Sequence, residues 1–260
     1  MTQPNFSVSG WRPCAVIPVY NHGSTVGAVV AELVAEGLAV ILVDDGSSAE
    51  TKTFLSGIVR DVKGTKLFTL PLNLGKGGAV AHGLIQASQL GYSHALQVDA
   101  DGQHDLGEIL TFLDASRSHP DQVVCGRPVY DQTVPISRLI GRRITNFFVA
   151  VETLSRDIPD AMCGFRVYPL VPVQNLLSRG ALSQRMDFDI EILVRLHWQA
   201  VSMQFRPIRV IYPENGISHF RLLADNLAIT RIHAQLTIEM IFRWRWLLWR
   251  RRHVGQRAKA

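Results

Sequence analysis

The sequence lacks an uncharged apolar run of the length that a membrane-spanning helix needs, about 18–20 residues. The N-terminal residues are polar and include no apolar stretch, so we expect no secretory signal. Paired CxxC motifs are also absent, and three widely separated cysteines favour buried thiols in a reducing compartment: Cys14, Cys125 and Cys163. We therefore expect a protein that is made in the cytosol and stays there.

Acidic residues are absent after Glu239, whereas seven basic residues follow it. The rest of the chain then holds 20 basic and 22 acidic residues and is nearly neutral, although the formal net charge is +5. This distribution argues against a nucleic-acid-binding face and predicts a localised basic anchor.

Long repeats and low-complexity tracts are missing, and the 260 residues suit one large α/β domain with a C-terminal appendage. We place the domain at 1–220 and a helical basic and aromatic segment at 221–260. Expected strands are 14–19, 39–43, 66–70, 94–98 and 122–125, with helices at 24–36 (capped by Ser24), 49–60, 76–90 and 106–116. In the second half, helices are expected at 135–154, 188–197 and from 219 onward, and a strand at 201–212. The alternation predicts a mostly parallel sheet with helices on its faces, and Pro207 places the last strand at an edge or bulge.

Polar, turn-forming clusters follow each of the first four expected strands, at residues 18–21, 44–47, 73–78 and 99–103. In an open parallel sheet, ligands bind in the crevice beyond the carboxyl ends of the strands. Four clusters at that edge therefore predict a single binding site.

Asp99 and Asp101 are two residues apart where the fourth strand gives way to a turn. Side chains at i and i+2 of extended chain point the same way, so both carboxylates can face one point. Together with the oxygen of Gln103, they predict a site for Mg²⁺ or Mn²⁺. The alternative is an Asx-type turn with solvated carboxylates.

The glycine-rich segment 73–78 (NLGKGG) can cradle phosphates, because its backbone N–H groups can approach an anion and Lys76 supplies charge. A glycine-rich turn that opens a tightly packed helix is an equal alternative. The segment 44–47 (DDGS) likewise has two interpretations: a turn with a helix cap, or an acidic residue that binds a ribose or base.

Taken together, the motifs resemble those of the family 2 glycosyltransferases of the GT-A fold, especially the dolichol- and polyprenol-phosphate sugar transferase branch. The matching segments are VIPVYN at 16–21, VDDGS at 43–47, NLGKG at 73–77, VDADGQ at 98–103, CGR at 125–127, CGFR at 163–166 and FDIE at 188–191. The resemblance implies a Rossmann-like, mostly parallel sheet with helices on both faces, followed here by C-terminal amphipathic helices.

The resemblance also implies roles for individual residues. Pro18, Tyr20 and Asp45 would hold the base and ribose of a nucleoside-diphosphate sugar, with Asn21 at the same donor site. The metal on the diphosphate would be held by the Asp99, Asp101 and Gln103 set. Arg127, matching the basic residue after the fifth strand, would contact phosphate.

Asp189 and Glu191 would line the sugar or acceptor side. A lipid-phosphate acceptor is already ionised and needs no general base, whereas a hydroxyl acceptor would need one, and Asp189 is the candidate. Attack at the anomeric carbon is expected to invert its configuration. The alternative for both acids is a helix first turn that carries favourable negative charge.

One segment departs from the family pattern. Polyprenol-phosphate members carry an Arg and then Gly-x-Ser-Lys after the late strand, whereas residues 212–219 here read YPENGISH. The Arg is absent and His219 replaces the Lys, which weakens the expected phosphate clamp or makes it pH-dependent. We expect His219 to act as a cation or acid, with a loop-packing histidine as the alternative.

The C-terminal segment mixes tryptophans and arginines with aliphatic side chains. Its apolar members are Ile238, Ile241, Phe242, Trp244, Trp246, Leu247, Leu248 and Trp249. This composition predicts an interfacial helix on an anionic membrane surface or a membrane protein, at the inner face of the membrane. A core helix with a solvated basic end is the alternative.

Three other functions compete with a sugar transferase. A haloacid-dehalogenase-type phosphatase needs its DxD on the first strand, and a nucleotidyltransferase needs a Gly- and Arg-rich loop that residues 21–24 do not provide. A nucleotide-sugar-binding scaffold that has lost catalysis remains the alternative. The intact pair of Asp99 and Asp101 argues against that loss.

Overall fold

The computed structural model describes residues 10–130, 134, 136–210 and 222–257. The strands are β1 (Pro13–Val19), β2 (Ala39–Asp44), β3 (Thr65–Thr69), β4 (His94–Gln97), β5 (Val123–Tyr130), β6 (Arg166–Pro169) and β7 (Met203–Val210). The helices are α1 (Gly23–Ala35), α2 (Ala49–Asp61), α3 (Lys76–Gln89), α4 (Ile109–Ser118), α5 (Ile136–Thr153), α6 (Leu170–Leu177), α7 (Phe188–Trp198) and α8 (Leu222–Arg257). Strands and helices alternate along the first half of the chain, as the sequence predicts.

The seven strands form one sheet in the order β3-β2-β1-β4-β6-β5-β7. All neighbouring pairs are parallel except those of β6, which is antiparallel to both β4 and β5. The carboxyl ends of β1, β2 and β4 therefore meet at the edge where β6 begins. We call this the carboxyl edge.

Both faces of the sheet are covered, because alternate side chains of each strand enter different cores. In β1, Cys14 and Val16 join a core with side chains of α3, α7 and α8. Ala15, Ile17 and Val19 join the opposite core, with side chains of α1, α2 and α4. Full burial on both faces explains the nearly continuous apolar strands, and the predicted mostly parallel sheet with helices on both faces is confirmed.

Three local features differ from the sequence prediction. α1 begins at Gly23 with His22 as its N-cap, so the predicted cap at Ser24 is wrong. A 3-10 turn precedes α4, because the Asp105 carboxylate accepts a hydrogen bond from the Gly107 N–H. β6 and α6 were not predicted at all.

β7 lies at the edge of the sheet, as Pro207 indicates, since a proline cannot donate to a further strand. α8 packs against α5 and α7, and one side of it enters the core through Ile229, Ile232, Leu236, Met240 and Leu247. Leu247 is therefore a core residue and not part of an exposed apolar face. The expected domain boundary at 220/221 lies outside the described residues.

Within the described ranges, no helix combines the length and apolar character that would let it cross a membrane.

Candidate functional site

Three elements bring charged side chains together at the carboxyl edge. Lys76 opens α3, Asp99 follows β4, and Asp189 lies in the first turn of α7. The Lys76 ammonium lies 2.9 Å from the Asp99 carboxylate and 3.0 Å from the Asp189 carboxylate. Three predicted site residues that are far apart in sequence therefore form one ion-pair cluster.

Gly164, just before β6, closes this cluster on one side. A Cβ atom at Gly164 would lie 2.7 Å from the Lys76 Nζ and 3.0 Å from the Asp99 Oδ2. The first separation is shorter than a Cβ contact allows and the second is very tight, so a larger residue would force the Lys76 ammonium to shift. The CGFR motif thus leaves room for the charges of the site.

The charges shift one another's proton affinities. Burial alone would lower the pKa of Lys76, but the Asp189 and Asp99 carboxylates raise it above its ordinary value. Burial would raise the pKa of Asp99, but Lys76 holds it below its usual range. The pKa of Asp101 is raised, first by burial and then by the neighbouring Asp99 charge. Lys76 therefore compensates Asp99 and leaves Asp101 without equivalent compensation.

The turn after Asp99 has the Asx-type geometry that the sequence offered as the alternative to a metal site. The Gln103 N–H donates to the Asp101 Oδ1 at 3.0 Å, which makes an Asx-type turn. His104 comes next, and its ring stands 3.8 Å from the Cys163 Sγ, with a buried Nδ1 that has no hydrogen-bond partner. Burial lowers the pKa of His104. Sequence reasoning missed this residue, because nothing in its spacing shows that the ring turns inward.

The chemistry of this turn fits a divalent cation, although the described residues contain no group of three or more His, Cys, Asp and Glu side chains arranged as metal ligands. Burial first, and then repulsion by the Asp99 charge, raises the pKa of Asp101. A cation beside Asp101 would relieve that repulsion, and Gln103 offers a further oxygen. The hard oxygen donors suit Mg²⁺ or Mn²⁺.

Arg166 supports Asp189 from inside the protein, a role that the matching CGFR segment did not indicate. Its guanidinium is fully buried and donates to the backbone oxygen of Asp189 at 2.8 Å, to the Tyr168 hydroxyl at 3.0 Å and to the backbone oxygen of Ala161 at 2.8 Å. The Asp189 Oδ1 also accepts a bond from the Gln97 amide at 3.2 Å. The first turn of α7 is thereby held in place beneath Lys76.

Asp45 holds the glycine-rich segment instead of standing free. Its two carboxylate oxygens accept hydrogen bonds from the backbone N–H groups of Leu74 and Gly75, at 2.7 and 2.8 Å. Gly75 has a φ of 92°, a left-handed conformation that favours glycine. Asp45 therefore shapes the loop that carries Lys76, and its predicted contact with a base or ribose stays a prediction.

The end of β1 carries the other residues predicted to bind the donor. Pro18 and Tyr20 are partly buried there. Asn21 has a φ of 57°, and its side-chain oxygen accepts a hydrogen bond from the Ser48 N–H at 2.9 Å. This contact joins the β1 turn to the turn after β2, so the two clusters are adjacent as predicted.

For two other predicted residues the structure shows a different environment from the one expected. Arg127 lies within β5, which continues to Tyr130, so it does not follow the strand, and its side chain is exposed. The Glu191 carboxylate is bound to the Ser183 N–H and to Arg195, which turns it away from the cluster. His219 lies outside the described residues.

The comparison with known families agrees with this architecture. Residues 14–177, more than half of the chain, match the model of the family described as "Glycosyl transferase family 2". The chain belongs to glycosyl transferase family 2. This confirms the resemblance that the motifs indicated.

Curated relatives lie in the predicted branch of the family. A dolichyl-phosphate beta-glucosyltransferase of Dictyostelium discoideum is 27% identical over 164 residues, which are 59% of this chain and 49% of the relative. A polyprenol monophosphomannose synthase of Mycolicibacterium smegmatis is 25% identical over 205 residues, or 76% of each protein. The chain thus spans about half the length of the first relative and three quarters of the second.

Solved structures show the same fold. Glucosyl-3-phosphoglycerate synthase from Mycobacterium tuberculosis, in complex with Mn²⁺ and uridine-diphosphate-glucose, superposes with a TM-score of 0.62 at 16% identity. The match covers 89% of this chain and 79% of that one. The predicted GT-A fold is confirmed.

Proposed function

We propose that the protein transfers a sugar from a nucleoside-diphosphate sugar to a lipid-linked, membrane-associated acceptor, with a lipid phosphate as the preferred acceptor. The observation that carries this proposal is the cluster at the carboxyl edge, where Lys76 joins Asp99 and Asp189 beside Asp101. The dolichyl-phosphate and polyprenol-phosphate enzymes among the relatives support the acceptor class.

On the donor side, Asp101 and Gln103 would hold Mg²⁺ or Mn²⁺, with Asp99 beside them. When bound, the ion supplies positive charge that stabilises the leaving diphosphate. Lys76 keeps Asp99 ionised and fixed in orientation, since its ammonium lies 2.9 Å from that carboxylate. The glycine-rich loop, held by Asp45, places backbone N–H groups at the same edge.

On the acceptor side, the engagement of Asp189 favours a phosphate over a hydroxyl. One of its carboxylate oxygens accepts a bond from Gln97 and the other pairs with Lys76. With both oxygens engaged, Asp189 is poorly placed to take a proton from an acceptor hydroxyl. A phosphate oxygen is already ionised and attacks without a general base.

Exposed apolar side chains on two helices support attachment to a membrane surface. On α5, Ile136, Ile140 and Phe147 are exposed, and on α8 Phe242 is 85% exposed. Arg245 is exposed in the same segment of α8. Exposed apolar side chains next to arginines suit an anionic lipid surface, so we place the protein peripherally at the inner face of the membrane.

Thermal shift with a panel of nucleotide sugars, with and without Mn²⁺, tests donor binding, because a ligand that binds only the folded state stabilises it. We expect one donor to raise the melting temperature with Mn²⁺, and the Asp101→Asn variant to lose most of that rise. No rise with any uridine or guanosine donor would refute the proposal. Binding without turnover would instead indicate the catalytically inactive scaffold.

Flotation with liposomes that contain anionic lipid tests the membrane surface. Phe242→Glu should reduce co-migration of the protein with the liposomes. Val171, on α6, is 69% exposed and provides the matched control, since Val171→Glu adds the same charge to another exposed apolar position. Absence of co-migration for the unaltered protein would refute peripheral attachment to lipid.

A further inference from the structure

The backbone at Ser183 and Gln184 packs directly against the glycine-rich loop that carries Lys76. The Gly78 N–H donates to the Gln184 carbonyl oxygen at 2.9 Å. A Cβ atom at Gly75 would lie 2.6 Å from that same oxygen, and one at Gly77 would lie 2.8 Å from the Ser183 oxygen. Because so little free space separates them, a displacement of this segment would also displace the loop.

Glu191 holds the backbone at Ser183 in place. Its Oε2 accepts a hydrogen bond from the Ser183 N–H at 2.6 Å, and its Oε1 accepts one from the Arg195 Nε at 2.6 Å. The residue is only 3% exposed. A buried carboxylate of this kind depends on its cation, because an unpaired charge in the interior is strongly unfavourable.

Arg195 reaches from Glu191 to the C-terminal helix. Its two terminal nitrogens donate to the two carboxylate oxygens of Glu239 on α8, both at 2.8 Å. This bidentate geometry fixes the guanidinium plane as well as its position. A continuous chain of charge-assisted contacts therefore runs from α8 through Arg195 and Glu191 to Ser183.

We propose that Arg195 is a positioning residue that couples the packing of α8 to the geometry of the donor loop. The inference rests on the proposed function, because it takes the glycine-rich loop that carries Lys76 as part of the donor site. Loss of Arg195 would leave Glu191 buried without a cation and release its hold on Ser183. The loop that presents Lys76 would then lose its fixed support.

Two readouts test the coupling in Arg195→Met. Amide hydrogen exchange should become about tenfold faster at Ser183 and Gly78, because local opening needs less free energy. The KM for the donor should rise about three- to tenfold with a smaller change in kcat. Arg195→Lys should recover part of both effects, since an ammonium keeps the positive charge but cannot reproduce the bidentate contact with Glu239.

Gln235→Ala is the matched control, because Gln235 is exposed and donates to Glu239 at 3.1 Å without belonging to the chain of contacts. It should leave both readouts unchanged. If Arg195→Met does not fold, Glu239→Gln weakens the same contact with a smaller perturbation and should give the same changes at lower amplitude.

Exchange at Ser183 and Gly78 that matches the unaltered protein in both variants would overturn the coupling. The hydrogen-exchange measurement needs no substrate, so its outcome tests this inference separately from the proposed function. Faster exchange in a protein that turns over no nucleotide sugar would leave the coupling standing and refute the proposed function alone.

Discussion

Lys76→Met tests the ion-pair cluster most severely, because it removes the positive charge and retains most of the side-chain volume. The ammonium bridges Asp99 and Asp189, and the side chains of the first pair are 18% and 20% exposed. Removing one partner of a largely buried pair costs about 3–5 kcal/mol, since the remaining charges are left uncompensated. We expect the free energy of unfolding to fall by about that amount at neutral pH.

The loss should depend on pH with a definite sign. Lys76 holds the pKa of Asp99 below its ordinary range, so the contribution of Asp99 to stability is present at neutral pH and fades as pH falls through its folded pKa. The difference between the variant and the unaltered protein should therefore shrink on acidification. In the variant, Mn²⁺ should raise the melting temperature more than in the unaltered protein, because the carboxylates lack their ammonium partner.

Urea unfolding provides the measurement, with Lys66→Met as the control. Lys66 is exposed on β3, so its replacement should change the free energy of unfolding by less than about 0.5 kcal/mol. A loss below about 1 kcal/mol in Lys76→Met would match a solvent-exposed ion pair and would refute the cluster as described.

Three further variants probe the supports of the site. Gly164→Ala should lower kcat/KM about 10- to 100-fold with the fold retained, because its Cβ would lie 2.7 Å from the Lys76 ammonium; turnover and a thermal melt check this. Arg166→Met should destabilise the protein by about 3–5 kcal/mol in urea unfolding, since the buried oxygens that accept from that guanidinium would be left without a donor. Glu239→Gln should flatten the loss of stability on acidification below the ordinary carboxyl pKa of 4.5, because the hydrogen bonds from Arg195 lower the pKa of Glu239 and their contribution disappears as pH falls through the folded pKa. Thermal melts at neutral and acidic pH check this, and equal losses of stability in the two proteins would contradict it.

The sequence predicts well which residues lie at the carboxyl edge, but it predicts poorly which groups each side chain contacts there. The alternation of strands and helices places Asp45 and Asp99 at strand ends, and β2 and β4 are parallel to β1 and adjacent to it on either side. The placement of both residues at one edge follows from the parallel direction of the strands alone. The sequence does not show that the Lys76 ammonium lies between two carboxylates, one of them 113 positions away along the chain.

β6 escaped prediction for physical reasons. It has only four residues, and a charged Arg166 begins it, which breaks the apolar pattern of a buried strand. The guanidinium is tolerated there because Tyr168 and two backbone oxygens accept hydrogen bonds from its two terminal nitrogens. Such compensation depends on tertiary contacts that no local window contains, and the inward turn of His104 is hidden for the same reason.

The most direct test of the proposed function is transfer of a labelled sugar from its nucleotide to a polyprenyl phosphate in anionic vesicles with Mn²⁺. The account predicts a lipid-linked product from the unaltered protein. The product should fall at least about 100-fold in Asp101→Asn and disappear when a chelator removes the cation. Equal amounts of lipid-linked sugar from the unaltered protein, the Asp101→Asn variant and the chelated reaction would contradict the proposed role of the carboxyl edge.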